Sequence, residues 1–215
     1  MKNDGQRHSS KTDSPKAIFN PRPKGKCFSK VNCGQRLKQD DYQTPISMIN
    51  QFLEMKILGY PDKTSILEPA MGKGSIVRSL KEHGYKKVVA YDIQQGIDFL
   101  NETQKFDMII TNPPFRKAND FIRKASEVCK REFIFLMPIN YLHGKNRYLK
   151  FYGNPDFRFK LSELYIYTRM PMLTNEITEF YATGMQVYAW FVFTLNHHGD
   201  VSLNWIDNNR FVRHR

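Results

Sequence analysis

Seven short apolar runs punctuate the chain: Ser65-Ile66-Leu67, Lys87 to Asp92, Phe106 to Ile110, Phe133 to Met137, Leu164 to Tyr167, Val187 to Leu195 and Val201 to Ile206. Each is rich in β-branched or aromatic residues, the composition of strands. The consecutive Met108, Ile109 and Ile110 fit a strand buried on both faces. Helical spacing appears between the runs. Ile46, Ile49, Phe52, Leu53 and Met55 share one face, with Thr44 expected as N-cap and Pro45 in the first turn. Ile76, Val77 and Leu80 predict a second inward face, and Ala118 to Lys130 reads as a third helix.

Two regions depart from this rhythm. Residues 1–39 mix Lys, Arg, Ser, Pro and Gly with few apolar side chains. They are expected to form a disordered tail ahead of one domain over 40–215, because they bury too little surface to offset their ordering entropy. Thr168 to Met185 is polar and irregular. A connection of that length is functional or mobile, and it is expected to shape substrate access.

The stretch Phe106 to Phe115 organises the rest. Its strand ends at Asn112-Pro113-Pro114-Phe115, and two prolines can neither feed a sheet ladder nor continue a helix. They hold a rigid turn beyond the strand's carboxyl end, where open α/β sheets bind ligands. The Asn112 side-chain carbonyl and the Pro113 main-chain carbonyl can accept from a planar exocyclic amine, while Phe115 offers a stacking face. Two such acceptors favour a pyramidal nitrogen with an available lone pair. These residues resemble motif IV of the amino-methyltransferases, which methylate adenine N6 or cytosine N4 with S-adenosylmethionine.

Other segments extend the resemblance. Tyr42-Gln43-Thr44-Pro45 is similar to motif X, which implies contact with the cofactor's carboxylate. Glu68-Pro69-Ala70-Met71-Gly72-Lys73-Gly74 follows a strand and precedes a helix, and the glycines remove Cβ atoms where backbone approaches a ligand. Gly-x-Gly alone suits nucleotide binders generally, but with Glu68-Pro69 ahead of it the segment looks like motif I, where the acid handles the cofactor's amino group. Asp92 ends the second strand, 20 residues after Gly72, and suits a ribose diol. Dinucleotide binding would satisfy that geometry too, but a third glycine is missing where Val77 stands. Asp98-Phe99-Leu100 looks like motif III, which implies that Asp98 accepts from the cofactor's adenine and Phe99 borders its ring. The resemblance therefore implies a cofactor site of Tyr42, Thr44, Pro45, Glu68, Ala70, Gly72, Gly74, Asp92, Ile93, Asp98, Phe99 and Asn112, and a catalytic loop of Asn112, Pro113, Pro114 and Phe115.

Charge adds a partner. The 215 residues carry a formal net charge of +12, which suggests a polyanion. Residues 1–40 hold ten Lys or Arg against three Asp, so much of the excess lies in the tail. After the Phe133 strand, Lys145 and Arg147 lie on the sheet edge that carries Asn112 and are candidates for phosphate contacts. Cys27, Cys33 and Cys129 form no CxxC pair, and no metal site is expected. The absence of a transmembrane-length apolar run or signal-peptide pattern predicts a soluble, cytoplasmic protein.

The resemblance spans roughly 40–208 and is closest to small adenine-N6 DNA methyltransferases. It implies the class I fold: an α/β, Rossmann-like, seven-stranded, mostly parallel sheet with one antiparallel strand, Val187 to Leu195, and helices on both faces. It implies methyl transfer from S-adenosyl-L-methionine to adenine in DNA. The chain has little room for a target-recognition insert, so RNA adenine is the alternative substrate and a separate specificity subunit is possible. A non-catalytic nucleic-acid-binding module on the same fold is the rival from another class. It predicts damage to the Asn112 motif or the glycine turn, and both are intact.

Overall fold

A computed structural model describes residues 44–168 and 187–207. The expectations for the tail, for Tyr42 and for the connection over 169–186 lie outside these residues.

All seven apolar runs are strands: β1 (Ser65–Glu68), β2 (Lys87–Ala90), β3 (Phe106–Thr111), β4 (Cys129–Pro138), β5 (Phe159–Tyr167), β6 (Tyr188–Leu195) and β7 (Ser202–Ile206). They form one sheet in the order β2-β1-β3-β4-β6-β5-β7. Every pairing is parallel except those of β6, which runs against both β4 and β5. The expected reversed strand and final edge strand are therefore in place. From β1 the chain moves outward to β2 and returns to β3 on the opposite side of β1, so the topological switch lies between β1 and β3.

Helices α1 (Ile46–Met55) and α2 (Ser75–Glu82) cover one face, and α3 (Ala118–Val128) covers the other. Side-chain alternation explains the division. Met108 and Ile110 join the cluster under α1 and α2, whereas Ile109 joins the one under α3. Phe52 anchors α1, stacked on Trp190 with centroids 4.8 Å apart and edge-on to Tyr165 at 5.1 Å. The buried polar tips are paired, as Trp190 Nε1 donates to Tyr167 Oη and Tyr167 Oη donates to the Met48 carbonyl, both at 2.6 Å.

The structure shifts several expected boundaries. Pro45, not Thr44, is the N-cap of α1, and its carbonyl accepts from Met48 N at 3.1 Å. Met55 ends α1 facing solvent. On α2, Ser75 and Ser79 are buried beside Ile76 and Leu80, while Val77 is only half-buried. Strand β4 begins at Cys129, because that residue already pairs with Phe106. Strand β5 begins at Phe159, and its polar residues hid it from a hydrophobicity pattern: Ser162 Oγ donates to the Val192 carbonyl at 3.1 Å, and Glu163 meets Lys56 at 2.5 Å. No helix among the described residues is long and apolar enough to cross a membrane.

Candidate active site

The two strands flanking the topological switch are joined at their carboxyl ends. Glu68 closes β1 and Thr111 closes β3, and Thr111 Oγ1 donates to Glu68 Oε1 at 2.5 Å. Ala70 N donates to the same oxygen at 3.0 Å. Glu68 is fully buried, and its Oε2 has no hydrogen-bond partner. Burial pushes the carboxyl up to about 8 and the charge of Asp92 adds to the rise, while the Thr111 and Ala70 bonds pull the other way. A buried carboxyl oxygen without a partner is costly on its own and suits an ammonium group.

The glycine turn stands beside it. Gly72 and Gly74 have φ of 49° and 79°, the left-handed region that disfavours a side chain. Gly72 N donates to Asp92 Oδ2 at 3.0 Å, so the tip of the chain after β2 clamps this turn. The other Asp92 oxygen accepts from Gln94 N at 3.0 Å, and Gln95 Oε1 accepts from Asp92 N at 3.2 Å in a capping box. With the Gln95 N–H of the capping box, three backbone donors meet a carboxylate that offers about four acceptor sites, so acceptor capacity remains. After Asp92, Ile93 and Ile97 are 57% and 47% exposed, two apolar side chains facing solvent beyond the carboxyl end of β2. Asp98 caps the following turn by accepting from Leu100 N at 2.9 Å. Phe99 is a core side chain, buried 4.9 Å from the Phe121 ring. Ala70 is half-buried against the same core.

Asn112 follows Thr111 directly and leaves the sheet with a buried side-chain oxygen. Its Nδ2 donates to Thr44 Oγ1 at 3.2 Å, and Thr44 is itself buried. The hydroxyl expected to cap α1 thus reaches the Asn112 amide instead. Pro113 is buried, and Pro114 and Phe115 are half-buried. Phe115 packs on Tyr188, with ring centroids 5.5 Å apart. Its carbonyl accepts from Tyr141 Oη at 2.5 Å, which ties the proline loop to the chain leaving β4.

Lys145 is exposed, whereas Arg147 lies over the Tyr141 ring at 4.2 Å and donates from Nη1 to the Asn140 carbonyl at 3.4 Å and to the His143 carbonyl. Arg147 therefore braces its own loop, a role that spacing could not reveal. Thr111, Tyr141 and Tyr188 are further residues without a sequence signal. Thr111 reads as the end of a strand, and the two tyrosines gain meaning only when β4 and β6 pair beside β3. Among the described residues, no group of three His, Cys, Asp or Glu is arranged to hold a metal ion.

No family model and no curated protein matches the chain in sequence. Solved structures are similar to it in fold. A Pyrococcus horikoshii chain provisionally assigned as an RNA methyltransferase aligns with a TM-score of 0.51 and 15% identity, covering 72% of this chain and 84% of that one. The methyltransferase subunit of a type I restriction-modification system from Streptococcus thermophilus gives 0.51 and 17%, over 79% of this chain and 48% of that one. A Thermoplasma acidophilum protein gives 0.51 and 19%, over 77% and 94%. The architecture is the Rossmann-like class I methyltransferase fold.

Proposed function

We propose that this chain transfers a methyl group from S-adenosyl-L-methionine to the exocyclic N6 amine of adenine in DNA. The observation that carries the reading is the pairing of Glu68 with Thr111 at the switch point, immediately beside Asn112. It puts an acid suited to an amino acid's ammonium next to an amide suited to an aromatic amine.

The residues present fit the cofactor. Glu68 Oε2 would accept from its ammonium, and Asp92 would accept from its ribose hydroxyls with the remaining lone pairs. Ile93 and Ile97 would cover its adenine, with Asp98 accepting from the adenine amine. When bound, the cofactor supplies an electrophilic methyl on a sulfonium. The protein's share is orientation, desolvation and hydrogen bonding to the acceptor amine. Asn112 and the Pro113 carbonyl hold the amine's two N–H groups, Pro114 fixes the loop, and Phe115 presents a ring to the base. A target inside a duplex must first be extruded, at a cost of a few kcal/mol. The net charge of +12, the resemblance of the Asn112 motif and the restriction-modification neighbour all support a nucleic-acid substrate.

The test is transfer from labelled S-adenosyl-L-methionine to duplex DNA, single-stranded DNA and structured RNA in parallel, with Asn112→Ala as control. N6-methyldeoxyadenosine, lost in the variant, is the expected product. The ribonucleoside in its place would move the assignment to RNA. Cofactor binding without transfer to any of the three would overturn the reading.

A further inference from the structure

The chain leaving β4 makes a helical excursion that hydrophobic periodicity did not reveal. A short turn, Lys145–Arg147, runs into a π-helix, Tyr148–Tyr152, that ends at Gly153. Wide π turns are uncommon and recur at functional sites. Here the turn carries Tyr148 and Leu149 outward, 59% and 57% exposed, after Leu142 at 41%. Lys145 and Lys150 are exposed beside them. Residues 139–153 contain three Lys or Arg and no Asp or Glu.

This surface is braced from beneath. Tyr152 Oη donates to the Tyr141 carbonyl at 3.0 Å, Tyr141 Oη donates to the Phe115 carbonyl, and Arg147 covers the Tyr141 ring. The excursion is thereby fastened to the loop that carries Asn112. Tyr148 is also fixed, because its ring lies against Gly153: a Cβ there would fall 2.4 Å from the ring. An exposed aromatic seated on backbone and flanked in sequence by Lys145 and Lys150 has the composition of a base-stacking, phosphate-contacting surface. The basic run favours a polyanion over an apolar protein surface.

We propose that the Leu142–Gly153 excursion grips the nucleic acid next to the extruded target. Tyr148 stacks on a flanking base, Leu142 and Leu149 cover the apolar faces that extrusion exposes, and Lys145 and Lys150 hold adjacent phosphates. The proposal rests on the function given above and adds the element that stabilises the opened duplex.

The experiment compares wild type, Tyr148→Phe and the double variant Tyr148→Ala/Leu149→Ala on duplexes whose target adenine is paired or mispaired. A mispaired base is easier to extrude. The double variant is expected to lose roughly tenfold or more in kcat/KM on the paired duplex, to recover most of it on the mispaired one, and to bind cofactor normally. Tyr148→Phe is expected to behave as wild type. In parallel, Lys145→Ala/Lys150→Ala is expected to weaken binding and flatten its salt dependence by about two counterions. Equal loss on paired and mispaired duplexes, or no loss on either, would overturn the proposal while leaving the methyltransferase reading intact. A wild-type chain inert on every nucleic acid would overturn both.

Discussion

Thr44 accepts a hydrogen bond from the Asn112 amide at 3.2 Å, across 68 residues of sequence. The contact joins the entry to α1 with the exit from β3, and it fixes the orientation of the Asn112 amide. On the function proposed above, an Nδ2 group held by Thr44 would turn the carbonyl end toward the acceptor amine. Thr44→Val keeps the shape and removes the hydroxyl. Turnover is expected to fall about tenfold, a loss of about 1.4 kcal/mol of orientation, while cofactor affinity changes little and Thr44→Ser restores the rate. Weakened cofactor binding at unchanged turnover would instead assign Thr44 to the cofactor's carboxylate.

Glu68 makes apo-protein stability depend on pH. Its carboxyl titrates at about 8 in the fold against a reference of 4.5. Between those values the native state holds a proton that the unfolded chain has lost. The stability associated with that proton is full below about pH 4.5, declines through the interval by about 1.4 kcal/mol per pH unit, and is gone above about pH 8. Glu68→Gln is expected to abolish that slope in denaturant titrations and to stabilise the apo-protein at pH 8–9, while cofactor binding is lost. An unchanged slope would show that Glu68 is already ionised.

Asp92 holds the backbone N–H groups of Gly72 and Gln94 and, in its capping box, that of Gln95. Asp92→Ala is expected to cost about 0.5–2 kcal/mol in unfolding free energy, the range for a lost capping side chain. Because the glycine turn loses its clamp, cofactor affinity is expected to fall as well. Calorimetric titration against the fold-stability loss separates the two effects.

Phe52 carries the attachment of α1. Deleting its ring opens a cavity between Trp190 and Tyr165, and Phe52→Ala is expected to cost about 3–5 kcal/mol. Hydrogen exchange is expected to rise first in α1. Methyl transfer in the surviving folded fraction is expected to drop through displaced Thr44, which a fold-wide loss of stability alone would not produce.

Local pattern reaches a long way in this chain. The seven strands, the three helices, the switch-point loop at Asn112 and the glycine turn at 72–74 all follow from short-range spacing, because apolar period and proline or glycine placement act within a few residues. The consecutive apolar residues Met108, Ile109 and Ile110 mark β3 as a strand covered on both faces, and its place between β1 and β4 came from pairing. Side-chain pairing across the fold is different. That Thr44 serves Asn112 rather than α1, that Thr111 holds Glu68, that Arg147 braces Tyr141 and that Tyr148 rests on Gly153 each depend on where distant backbone comes to lie. Those distances are fixed by strand order and helix packing, which are collective outcomes of burying two apolar faces and are not encoded at any one position. Local apolar period thus located the seven strands, the three long helices and the points where chemistry-bearing residues leave the sheet. The 145–152 excursion, the polar start of β5 and every long-range side-chain contact arose only from packing, because they depend on where distant backbone lies.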